Sequence, residues 1–220
     1  MKTIRFCIYL LVLSCFHTLS AQEELGNGLL LPQFEQGTVV FKNGVRSPAT
    51  LNYDMIQEQM LFLDVDNTVM RINKPLDILV VIIGERRFFP ISSIGVFYEE
   101  IQAGKDSFFV ERRASIVSQG KASAYGGYSQ TQSSTSYGSW QSDMGGTVQL
   151  KADEKFKLDI KNTYYLKSGN NYKRFLTANS LGKLFKGHES EIKAFADEES
   201  INFRNLEDVV RLVEYAYSLK

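Results

Sequence analysis

GTVVFKNGVRSPATLNYDMIQEQMLFLD, residues 37–64, is the stretch on which the fold turns. Thr38 to Phe41 is an extended run of β-branched and aromatic side chains, the types that fit a pleated surface. Asn43-Gly44 follows, a dipeptide suited to a tight hairpin because both residues tolerate positive φ. A second extended run then leads into the apolar block Met60–Leu63. Antiparallel pairing of these runs starts a sheet that the rest of the chain extends or covers.

Downstream, Met60–Leu63 and Val69–Ile72 flank Asp64-Val65-Asp66-Asn67, whose Asx side chains suit a turn. Ile78–Ile83 is a continuous branched run, read as a strand buried on both faces. Gly84-Glu85 turns it into Arg86–Ile91, where Pro90 marks an edge or a strand end. Val96–Gln102 and Ser107–Val117 form a further hairpin, with Phe108, Val110 and Arg112 alternating against Phe109, Glu111 and Arg113. Thr147–Ile160 is strand-like again, and Thr163–Lys167 with Tyr172–Leu176 make a last hairpin. The pattern predicts a mainly β fold of α+β type. It is an antiparallel meander forming a curved sheet or partial barrel, with a small C-terminal helical cap.

Between those strands the composition changes. Residues 119–146 hold seven Ser, six Gly, four Gln and three Tyr, and no Leu, Ile, Val or Phe. Such a stretch buries too little apolar surface to offset its ordering entropy, so it reads as a low-complexity loop inserted in the β-rich domain 37–176.

Residues 177–220 read as a helical tail packed on the sheet. Leu181, Leu184 and Phe185 make one apolar face, ended by Gly187. Ile192, Phe195 and Ala196 make another, with Glu189 and Glu191 at the end where the helix dipole favours acids. Asn205 caps a third helix, with Asp208 placed for a capping box, and Leu206, Val209, Val210, Val213 and Ala216 repeat at helical spacing.

Upstream, residues 22–36 read as a leader in which Leu29-Leu30-Leu31 can dock on the sheet. Residues 1–21 read as a secretory signal peptide: basic Lys2 and Arg5, an apolar core Phe6–Ser14, then small Thr18, Ser20 and Ala21. Cleavage after Ala21 is preferred to cleavage after Ser20, and lipidation at Cys15 is the less favoured alternative. No other apolar run approaches the ~20 residues of a membrane-spanning helix. The expected location is therefore exported, in the periplasm or at the cell surface.

Gly37-x-Val39-x-Phe41-Lys42-Asn43-Gly44, Ala49-x-Leu51-Asn52-Tyr53, the Met60-x-Phe62 pair, Ile83–Pro90, Tyr98–Ile101 and Lys183–Phe195 together resemble a set of uncharacterised secreted β-rich proteins of Bacteroidota. The resemblance implies an exported β-rich domain followed by helices. It brings no assigned activity and no catalytic residue.

Removing residues 1–21 takes away Cys7, Cys15 and His17, so the remaining chain has no cysteine and one histidine, His188. Disulfides, thiolate zinc sites and cysteine nucleophiles are excluded. That chain carries 23 basic and 25 acidic residues, which gives no support to nucleic-acid binding.

Candidate chemistry is sparse. Glu99 and Glu100 are adjacent, so on a strand they face opposite ways. Asp64 and Asp66 share a face at a turn, without the Gly and bidentate Glu of an EF-hand calcium loop. Asp54 has no identifiable partner in the sequence, and His188 lacks a G-x-S-x-G elbow to serve. Arg86-Arg87 and Arg112-Arg113 suit pairing with Glu85, Glu99 and Glu111, while Arg87 or Arg113 also suits an anion.

Tyr125, Tyr128, Tyr137 and Trp140 are aromatic side chains without apolar neighbours, the type that stacks on sugars or anchors partners. The sequence thus predicts a non-enzymatic envelope protein that binds a partner protein or surface glycan through these four residues. It predicts no catalytic residue, metal or cofactor. The alternatives are a small structural subunit of an outer-membrane assembly and a carboxylate-dependent polysaccharide hydrolase.

Overall fold

The structure is a computed structural model describing residues 28–91, 95–122, 128–129, 139–141, 147–149 and 154–220, with the side chains of 118–156 outside the description. Residues 1–21, including Cys15, lie outside the described residues.

Strands β1 (Glu35–Phe41), β2 (Arg46–Asp54), β3 (Gln59–Leu63) and β4 (Val69–Arg71) follow one another as antiparallel hairpins. At the first turn, Gly44 takes φ 87° while Asn43 stays outside the left-handed region. The Gly44 amide donates to the Phe41 carbonyl and the Asn43 side chain accepts from the Val45 amide. A turn followed by a single left-handed glycine therefore replaces the two-residue turn that the dipeptide suggests.

The chain does not add its next strand to β4. A 3-10 turn at Pro75–Asp77 returns it to β5 (Ile78–Ile83), which pairs with β1. From β5 the sheet grows the other way, through β6 (Arg86–Pro90), β7 (Phe97–Ala103), β8 (Asp106–Ala122), β12 (Glu154–Ser168) and β13 (Asn171–Phe175). The ten-strand antiparallel path runs β13-β12-β8-β7-β6-β5-β1-β2-β3-β4 and does not close. Short strands β9 (Tyr128–Ser129), β10 (Ser139–Gln141) and β11 (Thr147–Gln149) also occur, β9 on β8 and β10 on β11. Strand β8 thus continues past Gln119, where the composition changes.

Centrality explains β5: it lies between β1 and β6, so Val80 and Val81, on opposite faces, are both buried, although Leu79 is exposed. Pro90 ends β6 within the sheet instead of marking an edge. Gly37 lets β1 approach β5 closely, since a Cβ there would run into the Ile82 carbonyl oxygen and stand 2.8 Å from Leu51 Cδ1.

The N-terminal half of the sheet is curled. Tyr53 on β2 stacks on Phe88 of β6 with ring centroids 6.2 Å apart, across strands that are not neighbours. The Ala114 amide of β8 donates to the Met55 carbonyl at the end of β2, at 2.9 Å. The interior of this half-barrel holds Val39, Leu51, Tyr53, Met60, Ile78, Val81, Ile83, Phe88 and Phe97. The leader closes one end: Asn52 accepts from the Leu31 amide and donates to the Leu31 and Gln33 carbonyls, and Leu31 is buried.

A second core lies on the same sheet face, beneath helices α1 (Ala178–Gly182), α2 (Glu189–Glu198) and α3 (Leu206–Ser218). Val209, Leu212, Val213 and Ala216 of α3 pack with Phe108, Val110, Tyr164 and Phe175 of the sheet. Tyr164 Oη donates to the Phe203 carbonyl and Tyr217 Oη to the Ser107 carbonyl, fixing the helices in place. Asn205 caps α3 by accepting from the Glu207 amide, whereas Asp208 accepts from the Asn202 amide instead of completing a capping box. The capping box is formed at α1, between Thr177 and Ser180. No described helix is long and apolar enough to cross a membrane.

Candidate functional site

The return from β4 to β5 builds a cavity. Residues Ile72–Lys74, between β4 and the 3-10 turn, line it, and the Ile72 amide donates to the Met60 carbonyl. Below them lies a pocket of about 350 Å³, lined by Val39, Phe41, Ala49, Leu51, Phe62 and Ile78 and rimmed by Met70 and Ile72. Ser47, Arg71, Asn73 and Lys74 are its polar lining. Strand alternation accounts for most of this lining. Val39, Ser47, Ala49, Leu51, Phe62 and Met70 belong to the inward face by their cross-strand register. On that face exposed Ser47 and half-buried Ala49 are small side chains, and the pocket lies against them.

Charge is handled elsewhere. Glu99, only 3% exposed, sits between Phe88 and Val110 of the flanking strands, at the seam of the two cores. Arg86 grips it through Nε and Nη2 at 2.6 and 3.0 Å, and Arg112 Nε adds a third bond at 2.6 Å. Burial pushes the Glu99 carboxyl up, but the two guanidinium groups outweigh that and hold it below its ordinary value. On the outer face Arg87 pairs with Glu100 at 2.9 Å and Arg113 with Glu58 at 2.7 Å. Tyr165 Oη donates to Glu111 at 2.9 Å, and its ring stacks on Tyr98 with centroids 4.5 Å apart. Burial, and then the neighbouring Glu111, raise the Glu58 carboxyl against the pull of Arg113. Glu58 also holds φ 57°, which is uncommon for a residue with a side chain.

The other candidates from the sequence are held in local structure. Asp54 Oδ1 accepts from the Ile56 and Gln57 amides at 2.8 and 2.9 Å, so it shapes the β2–β3 turn. Asp64 Oδ1 does the same for the Asp66 and Thr68 amides. His188 precedes α2 and its Nδ1 lies 2.7 Å from Glu191 at the surface. Among the described residues no group of His, Cys, Asp and Glu is arranged to hold a metal ion. Tyr125 and Tyr137 lie outside the described residues, and Tyr128 and Trp140 stand on β9 and β10 with their side chains outside the description.

The pocket escaped the sequence reading because the long-range return of β5 to β1 creates it. Its one local signal is the pair of small residues, Ser47 and Ala49, at alternate positions of a strand that ends in Leu51 and Tyr53. Comparison with protein-family models, with curated proteins and with solved structures finds no match to the chain.

Proposed function

We propose that this chain is an exported, non-enzymatic envelope protein that binds by taking an apolar group into the half-barrel pocket. The observation that carries this reading is the cavity itself, open beside a core in which Leu51 and Val81 are fully buried. At about 350 Å³ it is within the size range of small-molecule sites, and it lies at the mouth of a curled sheet, where such sites recur. Among the described residues its lining includes no carboxylate, whereas glycoside hydrolysis needs two about 5–9 Å apart. Lys2, Arg5 and the apolar run after them support export.

The test is titration with 1-N-phenylnaphthylamine, a neutral fluorophore that brightens in apolar sites. Saturable binding to the wild type should disappear in Ala49→Trp and in Ser47→Phe, which fill the cavity, with far-UV circular dichroism unchanged. Equal binding by folded filled variants would sink the reading.

A second reading rests on the β8–β12 ribbon. The two strands pair from Tyr165↔Phe109 to Glu154↔Lys121, well past Glu111, the last β8 residue paired with β7. From Ala114 to Lys121 that is roughly 25 Å of ribbon. Its end leads into the segment bearing Tyr125, Tyr128, Tyr137 and Trp140, suited to a partner protein or surface glycan. Cross-linked capture of a partner that survives replacement of all four aromatics by Ala would remove this reading.

A further inference from the structure

Resting on the pocket reading above, we propose that the ligand is a single-chain amphiphile with an anionic head: an acyl carboxylate of about ten to twelve carbons, sized by the cavity.

Three observations converge on that chemistry. The floor of the cavity is Val39, Leu51 and Ile78, all buried, with Phe41, Phe62 and Ile72 around them. None of these side chains can hydrogen-bond, so a sugar or peptide group placed there would lose its bonds to water without replacement. A hydrocarbon loses nothing by entering.

The second observation is charge. Among the described residues, Arg71 and Lys74 are the only ionisable ones lining the pocket, and both are exposed. Neither has a carboxylate partner among the described residues, whereas Arg86, Arg87, Arg112 and Arg113 are all paired. Lys74, a cation without a carboxylate partner among the described residues, stands with the Asn73 amide beside an apolar cavity and complements an anionic head group held at the mouth, while Arg71, paired with Leu61, starts from the outward face of β4. The long Lys74 side chain keeps its charged end in water while its stem lies along apolar surface, which suits a ligand of the same divided character.

The third is size. A water-sized group occupies about 30 Å³, so a cavity of about 350 Å³ accommodates about a dozen such groups in a chain. That matches one medium-length acyl chain.

The experiment is displacement of 1-N-phenylnaphthylamine by dodecanoate, dodecanol, dodecyltrimethylammonium, hexanoate and octadecanoate, each below its micellar concentration. Dodecanoate should displace the probe at least tenfold better than dodecanol, a difference of about 1.4 kcal/mol. It should also surpass hexanoate and octadecanoate. Lys74→Glu should weaken dodecanoate about tenfold and leave the neutral probe unaffected, whereas Arg71→Glu, on the outward face, should have a smaller effect. Equal displacement by dodecanol, preference for the cationic amphiphile, or indifference to Lys74→Glu would overturn the anionic head. Affinity that goes on rising through octadecanoate would overturn the chain length. In all those outcomes the probe still binds and the pocket reading stands; failure of the wild type to bind the probe at all overturns both.

Discussion

Replacing Glu99 by Gln removes one negative charge from between two guanidinium groups and leaves the shape almost intact. The carboxylate is 3% exposed, and its partners Arg86 and Arg112 are 29% and 12% exposed. Breaking a buried ion pair on one side costs about 3–5 kcal/mol, because the remaining charges keep their desolvation penalty without compensation. The partial exposure of Arg86 lets water recover some of this, which places the loss near the lower figure, at about 3 kcal/mol. Urea unfolding followed by circular dichroism at pH 7 should show that loss with an unchanged slope.

The dependence on pH follows from the direction of the Glu99 shift. Its folded carboxyl titrates below the ordinary value of 4.5, so its stabilising contribution is complete above 4.5 and is lost as pH falls through the folded value. The gap between wild type and Glu99→Gln should therefore be constant from pH 7 to 5 and close only below that. Replacing all three residues together, as Arg86→Met, Glu99→Leu and Arg112→Met, should recover most of the loss, since an apolar trio has no charge to desolvate. A gap under about 1 kcal/mol at pH 7, or one that already narrows between pH 7 and 5, would refute the reasoning.

Further expectations concern packing and the leader. Leu212 is fully buried under the sheet, so Leu212→Ala should cost about 2–5 kcal/mol in denaturant unfolding. Leu79→Ala, at a side chain 52% exposed, should stay within about 0.5 kcal/mol by the same assay. Asn52→Ala deprives the Leu31 amide and carbonyl of their partner, and hydrogen exchange at Leu31 should accelerate more than at Val81. Gly37→Ala drives a methyl against the Ile82 carbonyl, and its melting temperature should fall further than that of Gly44→Ala, a site with open space but φ 87°.

How much of this was legible in the chain depends on the range of the interaction. Alternation in Phe108–Arg113 and helical spacing in Val209–Ala216 are local, and both read correctly as faces of a strand and a helix. The opposed orientation of Glu99 and Glu100 follows from strand geometry, and each meets a different arginine. Beyond local range the reading falters. Nothing near Ile78 says that it will pair beside Phe41 instead of Arg71, because the choice is made by burial of a whole strand in the sheet centre. The pocket depends on that return and was invisible for the same reason. Asp208 shows the subtler limit: its position suits a capping box, but the Asn202 amide in the preceding loop competes for the carboxylate and wins.

Because the sheet stops short of closure, β4 and β13 each present a row of backbone donors and acceptors that no neighbouring strand among the described residues satisfies. Such edges invite another chain to add to them, and a protein at high local concentration must discourage this. Strand β4 does so by brevity, since Val69–Arg71 is too short to template a stable ladder. Strand β13 does so with charge: Lys173 and Arg174 alternate in direction, so a strand docking there meets a cation on either face of the pleat. The openness that leaves room for a pocket thus brings a hazard of edge-to-edge aggregation, countered at one end by length and at the other by electrostatic repulsion.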